Sequence, residues 1–244
     1  ALKRFGAEAV VKSRRGGYDG KGLWVIDSGD PEALPVPAGD AIIEQRMPFR
    51  RELSVIGARG RDGQVVCYPL TENRHRDGVL RLSLAPAENA DPLQEAAESM
   101  FRAIVDGLDY CGVLAVELFE VDGELHVNEI APRVHNSGHW SQEGADISQF
   151  DLHLRAVCGL PLAVPQVPAP AAMVNILGHA FDERWLSLPG RLHWYGKEPR
   201  PGRKLGHINV TASDRSELFR QLYEVQQGLG ETELKTDLDS LTGC

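Results

Sequence analysis

The chain contains the stretch Gly112-Val113-Leu114-Ala115-Val116-Glu117-Leu118-Phe119, and Asp122-Gly123 separates it from a second stretch, Glu124 to Ile130. An Asp-Gly pair between two apolar runs is a strong signal for a tight β-hairpin. Glu117 interrupts the first run, and Asn128-Glu129 interrupts the second. Because a buried carboxylate is costly unless it is paired or bound to a metal ion, acidic groups at strand centres need a reason. The stretch therefore predicts an antiparallel hairpin that carries a polar site.

The register of this hairpin decides which polar residues face each other, and the sequence leaves two registers open. A two-residue turn places Glu117 opposite Asn128, whereas a three-residue loop that includes Glu124 places Glu117 opposite Glu129. Either register gathers hard oxygen ligands, as Mg²⁺ bound together with phosphate oxygens requires. Ordinary alternation on an exposed face would explain one glutamate, but it explains Glu117 within an apolar run less well. We therefore expect a metal site.

Composition excludes several classes of protein. The chain has 244 residues, 26 Lys and Arg against 35 Asp and Glu, and a formal net charge of -9. This balance argues against a nucleic-acid-binding surface spread over the whole chain. No apolar run approaches the roughly 20 residues that a membrane span needs. The four cysteines form no C-x-x-C pair, so neither a zinc site nor a disulfide framework is predicted, and we expect a reducing, cytoplasmic setting.

Signals for further elements flank the hairpin on both sides. A helix is expected from Asp91 as its cap, with Pro92 in the first turn. A second helix is expected over 148–158, closed by Gly159, and a third over 213–227, ended by Gly228. Strands are predicted at 9–12, 23–26, 41–44, 52–58, 64–70, 172–178, 192–195 and 206–211.

Changes in composition suggest the domain organisation. Four prolines within 161–170 indicate an extended linker, and the acidic segment after Gly230 shows no clear apolar periodicity. The predicted parts are a partial lid subdomain over 1–44, a core with the metal site over 45–160, a linker over 161–171, a small C-terminal domain over 172–230 and a flexible tail over 231–244.

A glycine-rich loop, Lys12 to Gly22, joins the first two predicted strands. Its glycines let backbone N–H groups turn towards an anion, and the nearby cations favour phosphate. The loop does not match a P-loop, because Arg15 stands where that motif needs glycine and Gly22 replaces serine or threonine. A flexible hairpin tip is the alternative interpretation, and the loop by itself favours it.

Two further segments concentrate polar chemistry. The segment Asn128 to Trp140 supplies Arg, His, Asn and Ser directly after the acidic strand, and it is too polar for a core. The segment Lys197 to Lys204 places four cations in eight residues of an acidic chain. A solvated turn and a local phosphate pocket explain these cations about equally well.

Four motifs together resemble the ATP-grasp fold and, within it, the 5-(carboxyamino)imidazole ribonucleotide synthetase family of purine biosynthesis. They are RRGGYDGKG at 14–22, YPLTENRHRDG at 68–78, NEIAPRVHNSGHW at 128–140 and RPGRKLGH at 200–207. The resemblance extends over about residues 9–213. It implies an α+β fold in which a lid hairpin and an antiparallel core are joined to a small β-rich C-terminal domain. Family members begin with a Rossmann-like domain, which is absent here, so the resemblance implies an N-terminally truncated chain.

The resemblance also implies a reaction in which ATP, bicarbonate and 5-aminoimidazole ribonucleotide yield the N-carboxylated ribonucleotide, ADP and phosphate. Glu117 and Glu129 would bind Mg²⁺, with Mn²⁺ as an alternative, and Asn128 would assist. Tyr18, Asp19, Arg133, His135 and Asn136 would hold bicarbonate, carboxyphosphate and the aminoimidazole. The ribonucleotide phosphate would meet Lys197, Arg200, Arg203 or Lys204. The nucleotide would meet Lys12, Gly16, Gly17, Tyr18, Asp19, Gly20, Lys21, Gly22, Glu44, Gln45, Arg46, Met47, Glu52, His75, Asn128 and Glu129.

Two other functions are compatible with the residues. One is a different ATP-grasp carboxylate–amine ligase, against which the run from His135 to Trp140 argues. The other is a non-catalytic fragment that binds a nucleotide without turning it over. The resemblance further implies a homodimer, and no coiled-coil repeat supports that directly.

Overall fold

The computed structural model describes residues 9–16, 22–26 and 39–243, and these form two compact units. The first unit comprises residues up to 49 together with 75–79, and the second comprises 50–74 and the chain from 80 onwards. Within the described ranges, no helix combines the length and the apolar composition that crossing a bilayer requires.

The first unit contains a three-stranded antiparallel sheet in the order β2-β1-β3. Its strands are β1 (Ala9–Ser13), β2 (Leu23–Ile26) and β3 (Ala41–Gln45). The predicted hairpin between β1 and β2 is confirmed, with Ala9 opposite Ile26. Alternation along β1 buries Ala9 and Val11, as expected for a strand with one apolar face.

The second unit is built on a nine-stranded sheet in the order β11-β12-β10-β7-β6-β4-β8-β9, with β5 paired to β4. The recorded ladders of this sheet are antiparallel. Its strands are β4 (Arg51–Arg59), β5 (Val65–Cys67), β6 (Thr71–Arg76), β7 (Val79–Ala85), β8 (Gly112–Val121), β9 (Glu124–Ala131), β10 (Ala171–Leu177), β11 (Arg191–Trp194) and β12 (Lys204–Thr211).

Five helices accompany this sheet in the described part of the chain. They are α1 (Asp91–Gly107), α2 (Ser141–Gly144), α3 (Gln149–Cys158), α4 (Arg215–Leu229) and α5 (Thr232–Thr242), with 3₁₀ turns at Asn136–Gly138 and Glu183–Ser187. The predicted stop of α3 at Gly159 is confirmed, because this residue adopts φ 71°. Ser148, where the helix was expected to begin, is its N-cap and accepts from the backbone of Asp151. Asp91 is not the cap of α1, since Ala90 takes that position without a side-chain bond.

Strand alternation divides the central strands between two cores. Leu114 and Val116 of β8 lie in the core that includes α1, whereas Val113 and Ala115 lie in the core that includes α3. Glu117 continues the α3-facing row, because side chains two positions apart share a face. The acidic position of the hairpin is therefore on the α3 side of the sheet.

The C-terminal strands extend the same sheet, because β10 pairs with β7. Helices α4 and α5 pack against these strands in a third core that includes Leu222, Val225 and Leu238. The predicted β-rich character of this region is confirmed by β10, β11 and β12. The domain boundaries proposed from the sequence stay predictions.

Two expectations for the C-terminal region were wrong. Helix α4 ends at Gly230 (φ 71°) and not at Gly228, which lies inside the helix. A glycine at 228 leaves room for Leu188, because a Cβ there would lie 2.3 Å from Leu188 Cδ2. The segment 232–242 is helical, whereas a frayed tail was expected. Leu234 and Leu238 are 3% and 0% exposed, so packing on the rest of the unit stabilises a helix that its acidic composition does not suggest.

Candidate functional site

The β8–β9 hairpin has a tight turn and a bulge. Asp122 and Gly123 have φ values of 51° and 80°, as a two-residue type I′ turn requires. Leu118 faces Val127, but the register then shifts so that Glu117 faces Glu129. The extra residue between these pairs is Asn128. The observed pairing thus combines the short turn of one predicted register with the facing glutamates of the other.

The bulge has a direct consequence for the site. In an unbroken ladder Glu129 would face Val116, whose side chain lies in the core that includes α1. One extra residue in a strand exchanges the two faces of the sheet beyond it. Glu129 therefore emerges beside Glu117 on the α3 side.

Three side chains meet at this point. Ligand atoms of Glu117, Glu129 and His135 all lie within 4.8 Å of one another, and His135 Nε2 lies 3.5 Å from Glu117 Oε1. Glu117 and His135 are 9% and 7% exposed, whereas Glu129 is exposed. Two carboxylates with one open side fit Mg²⁺ or Mn²⁺, which take oxygen ligands and leave positions for phosphate and water. Asn128, predicted as an assisting ligand, is half-buried at the bulge, and its role as a ligand stays a prediction.

A buried glutamine holds the loop that follows β9. Gln149 accepts from the backbone N–H of His135 (2.9 Å) and donates to the carbonyl of His135 (2.7 Å). Gly138 makes room for it, because a Cβ there would lie 2.7 Å from Gln149 Oε1 and 2.8 Å from Ile56 Cδ1. The sequence analysis did not identify Gln149. Its role becomes evident in the structure, where it is a fully buried polar residue in the first turn of α3.

The loop also approaches one of the predicted phosphate-binding cations. Lys204 Nζ donates to Asn136 Oδ1, although 68 residues separate the two in the chain. Lys204 Nζ lies 5.6 Å from the centre of the Tyr195 ring, and Lys197 Nζ lies 5.0 Å from it. Arg200 instead makes a 2.8 Å exposed ion pair with Glu198. Of the predicted cations, Lys204 is therefore the one that the structure joins to the Asn136 loop.

Next to Lys204 lies a cluster of aromatic rings. The His193 and His207 rings stack with their centres 4.5 Å apart, and His139 lies 5.0 Å from His207. The Tyr195 hydroxyl is 2.6 Å from His207 Nδ1. Burial first, and then the nearby cation Lys204, lower the pKa of His139 to about 3. Burial, His139 and Lys204 lower the pKa of His207 to about 2. Both rings are therefore neutral, and they can pack against the lysine without charge repulsion.

The remaining predicted residues fall in three places. In the first unit, Lys12 Nζ lies 2.7 Å from Glu44 Oε2, and the described residues there also include Gly16, Gly22 and His75. Glu52 lies on β4 opposite Asn73 and Phe119, on the same face as Glu117. Arg133 is exposed beyond the end of β9. Gln45 ends β3, and Arg46 and Met47 follow it, whereas Gly17, Tyr18, Asp19, Gly20 and Lys21 lie outside the described residues.

An acidic pair on a bulged hairpin, a glycine-rich sequence between two strands and an antiparallel sheet are features of the ATP-grasp class of folds. The chain belongs to the ATP-grasp family, whose domain matches residues 1–150. The phosphoribosylaminoimidazole carboxylase C-terminal domain matches residues 171–221. These matches confirm the predicted fold class.

Individual relatives carry a more specific name. N5-carboxyaminoimidazole ribonucleotide synthase of Escherichia coli is 53% identical over 222 residues, which cover 90% of this chain and 62% of that protein. The crystal structure of N5-carboxyaminoimidazole ribonucleotide synthetase from Thermus thermophilus matches with a TM-score of 0.85 and 46% identity, covering 93% of this chain and 63% of that one.

A third relative was solved with ligands. N5-carboxyaminoimidazole synthase from Aspergillus clavatus, in complex with ADP and 5-aminoimidazole ribonucleotide, matches with a TM-score of 0.85 and 34% identity, covering 94% of this chain and 64% of that one. The chain therefore spans somewhat less than two thirds of the length of these relatives. The resemblance seen in the sequence motifs is confirmed by these three comparisons.

Proposed function

We propose that this chain carries out the ATP-dependent carboxylation of 5-aminoimidazole ribonucleotide, as an ADP-forming carbon–nitrogen ligase of purine biosynthesis. The observation that carries the proposal is the arrangement on the α3 face of the sheet. There, Glu117, Glu129 and His135 form one cluster, and Asn136 in the next position is bonded to Lys204. A site for a metal–phosphate group thus adjoins a cation suited to a second anionic group. The names of the relatives support this substrate pair.

The chemistry needs positioning rather than a nucleophile of the protein. A bicarbonate oxygen attacks the γ-phosphorus of ATP, the bond from that phosphorus to the ADP oxygen breaks, and carboxyphosphate forms. The amino nitrogen of the aminoimidazole then attacks the carboxyl carbon and loses a proton, and the carbon–oxygen bond to phosphate breaks. Phosphoryl transfer of this kind depends mainly on alignment and charge neutralisation.

The residues divide this work. Glu117 and Glu129 would hold Mg²⁺, which supplies charge neutralisation at the ATP phosphates when it is bound. Asn128 would assist them. Arg133 offers a planar fork for bicarbonate or carboxyphosphate, and His135 and Asn136 would orient the same groups. Tyr18 and Asp19, outside the described residues, are proposed to act on the same substrates because of the sequence resemblance.

The nucleotide and the ribonucleotide phosphate have separate candidate partners. Lys12 and the loop from Gly16 to Gly22 are proposed to contact the ATP phosphates, with Glu44 to Met47 at the adenine, Glu52 at the ribose and His75 near the nucleotide. Lys204 is the first candidate for the ribonucleotide phosphate, because it already reaches the Asn136 loop. A homodimer in a cytoplasmic setting stays a proposal from the family resemblance.

Phosphate release tests the proposal. The 244-residue chain is incubated with ATP, Mg²⁺ and bicarbonate, with and without 5-aminoimidazole ribonucleotide, and the N-carboxylated product is trapped. We expect release that depends on bicarbonate and product that depends on the ribonucleotide. Release with a different carboxylate and amine would indicate another ATP-grasp ligase. Tight binding of ADP without any release would indicate a nucleotide-binding module.

A further inference from the structure

A chain of buried hydroxyl and amide groups crosses the sheet beside Glu117. It runs from Ser83 on β7 through Asn73 on β6 and Ser54 on β4 to Ser137, which contacts the ring of His135. Consecutive polar atoms along it are 2.8, 3.0, 3.0 and 2.9 Å apart. These side chains are between 0% and 7% exposed. Because water does not reach such groups freely, each donor must find an acceptor within the chain, and the direction of one bond constrains the next.

The bonds share one direction. The Ser83 hydroxyl donates to Asn73 Oδ1, so Asn73 Nδ2 faces Ser54 and donates to its Oγ. Ser54 then donates its own hydrogen to Ser137 Oγ. Because Ser137 Oγ accepts from Ser54, its own hydroxyl hydrogen is available to donate to Nδ1 of His135. The position of each hydrogen in this network is thus inferred from its donor and acceptor partners.

Two contacts at the imidazole agree with this direction. The backbone N–H of Ser137 also donates to Nδ1 of His135, over 3.4 Å, which requires an unprotonated Nδ1. On the other side of the ring, Nε2 lies 3.5 Å from Glu117 Oε1. An ionised carboxylate offers acceptors only, so a proton on Nε2 gives an attractive contact and a bare nitrogen gives a repulsive one.

We propose that this hydrogen-bond chain leaves Nδ1 of His135 as an acceptor and directs its Nε2–H at Glu117, so that His135 positions the Glu117 carboxylate and is not a third metal ligand. A ring nitrogen that carries a proton has no lone pair to give to a metal ion. Ser54, Asn73, Ser83 and Ser137 are then positioning residues that act through His135. The inference deepens the proposed function, since it rests on Glu117 and Glu129 forming the metal-binding pair. It also changes the role of His135, because both ring nitrogens are then engaged by Ser137 and Glu117, and it leaves Arg133 and Asn136 to orient bicarbonate.

Nitrogen NMR of the protein itself measures the tautomer. The 244-residue chain, ¹⁵N-labelled in its histidine rings and free of metal and nucleotide, is recorded at about pH 8, where an ordinary histidine is neutral. Loss of the signal in His135→Gln assigns the ring. We expect the Nε2–H tautomer to be at least about tenfold more populated than the Nδ1–H tautomer, because a hydrogen bond to a charged acceptor stabilises it by that factor. A proton on Nδ1, either alone or together with one on Nε2, would overturn the proposal.

An isosteric substitution tests the chain of hydrogen bonds. Asn73→Asp offers acceptors only, so Ser54 must donate to it, Ser137 must donate to Ser54, and Nδ1 of His135 must donate to Ser137. We expect the proton to move to Nδ1. Asn89→Asp is the matched control, because it makes the same isosteric change at an exposed position outside the hydrogen-bond chain. We expect the Nε2–H tautomer to persist there.

The outcomes separate cleanly. If Asn73→Asp folds, as far-UV circular dichroism reports, and keeps the proton on Nε2, the chain does not set the tautomer and the proposal fails. If that variant does not fold, the wild-type spectrum still decides which nitrogen carries the proton. None of these spectra needs ATP or substrate, so failure of this inference is distinguishable from failure of the proposed ligase activity.

Discussion

At the scale of single residues, Glu129 lies on the same face of the sheet as Glu117 because Asn128 adds one residue to β9. If Asn128 were instead paired in an unbroken ladder, Glu129 would face Val116 and its carboxylate would lie among the apolar side chains of the α1 core. The bulge thus avoids the unfavourable burial of the Glu129 carboxylate in an apolar core. It places this carboxylate beside that of Glu117, with Glu129 exposed to solvent. The separation between the two charges and His135, within 4.8 Å, suits a single small cation.

Glu129→Gln should remove Mg²⁺-dependent nucleotide binding. The substitution keeps the shape of the side chain but removes a charged ligand, so we expect the affinity for ADP in the presence of Mg²⁺ to fall by about tenfold or more. Titration calorimetry with and without Mg²⁺ measures this. Because Glu129 is exposed, the variant should fold normally.

Glu124→Gln is the matched control, since Glu124 is exposed on the same strand but lies at the turn. Its ADP affinity should equal that of the wild type. An unchanged affinity in Glu129→Gln would remove this residue from the metal site.

At the scale of elements, local signals predicted the β8–β9 turn and the ends of α3. Asp122-Gly123 adopts the turn that its residue types favour, and Gly159 closes α3 in the left-handed conformation. Helix α5 shows the limit of such signals. Leu234, Leu238 and Leu241 are spaced as on one face of a helix, so the expectation of no apolar periodicity after Gly230 was wrong. A helix of 11 residues is nevertheless marginal without a surface to pack on.

Leu238→Ala should destabilise the second unit. The side chain is 0% exposed and lies in the core formed with α4, so its loss should lower the free energy of unfolding by about 2–5 kcal/mol. Urea denaturation measures the change. Thr236→Ala, at an exposed position of the same helix, is the control and should change stability by about 0.5 kcal/mol or less. Equal stability of the two variants would show that α5 is not part of the cooperative core.

At the scale of the whole molecule, the C-terminal strands and the β8–β9 hairpin belong to one sheet, and this brings residues from distant parts of the chain together. Lys204 on β12 reaches Asn136, and Asn209 on the same strand donates to the carbonyl of His139 over 2.9 Å. The histidine cluster around Lys204 therefore depends on the complete unit being folded.

Stability should consequently fall as the pH is lowered from about 7 to 5. The pKa values of His139 and His207 in the folded state, about 3 and about 2, lie below the ordinary value of 6.5. Below about pH 6.5 the unfolded chain therefore binds protons that the folded chain does not. Each ring should reduce the free energy of unfolding by at most about 1.4 kcal/mol per pH unit in this range. The charged and titratable groups beside each of these two rings are the other ring, Lys204 and His193. The Tyr195 hydroxyl also contacts His207.

Urea unfolding between about pH 7.5 and 5 tests this linkage. His207→Gln should be less dependent on pH than the wild type, even where its stability at neutral pH is lower. Leu238→Ala serves as the control, because it loses stability without losing a histidine and should retain the full pH dependence. A His207→Gln protein with the same slope as the wild type would contradict the assignment.

The sequence by itself determined the local features of this protein and its family. Turn residues, strand alternation and helix caps depend on neighbours along the chain. Each of the four motifs that carry the family resemblance is likewise one uninterrupted stretch of sequence. Only the tertiary structure decided the register that pairs Glu117 with Glu129, the helix at 232–242, the Gln149 clamp and the approach of Lys204 to Asn136. Each of these depends on packing between residues far apart in the chain, and a bulge of one residue changes which side chains meet without leaving a distinct local pattern.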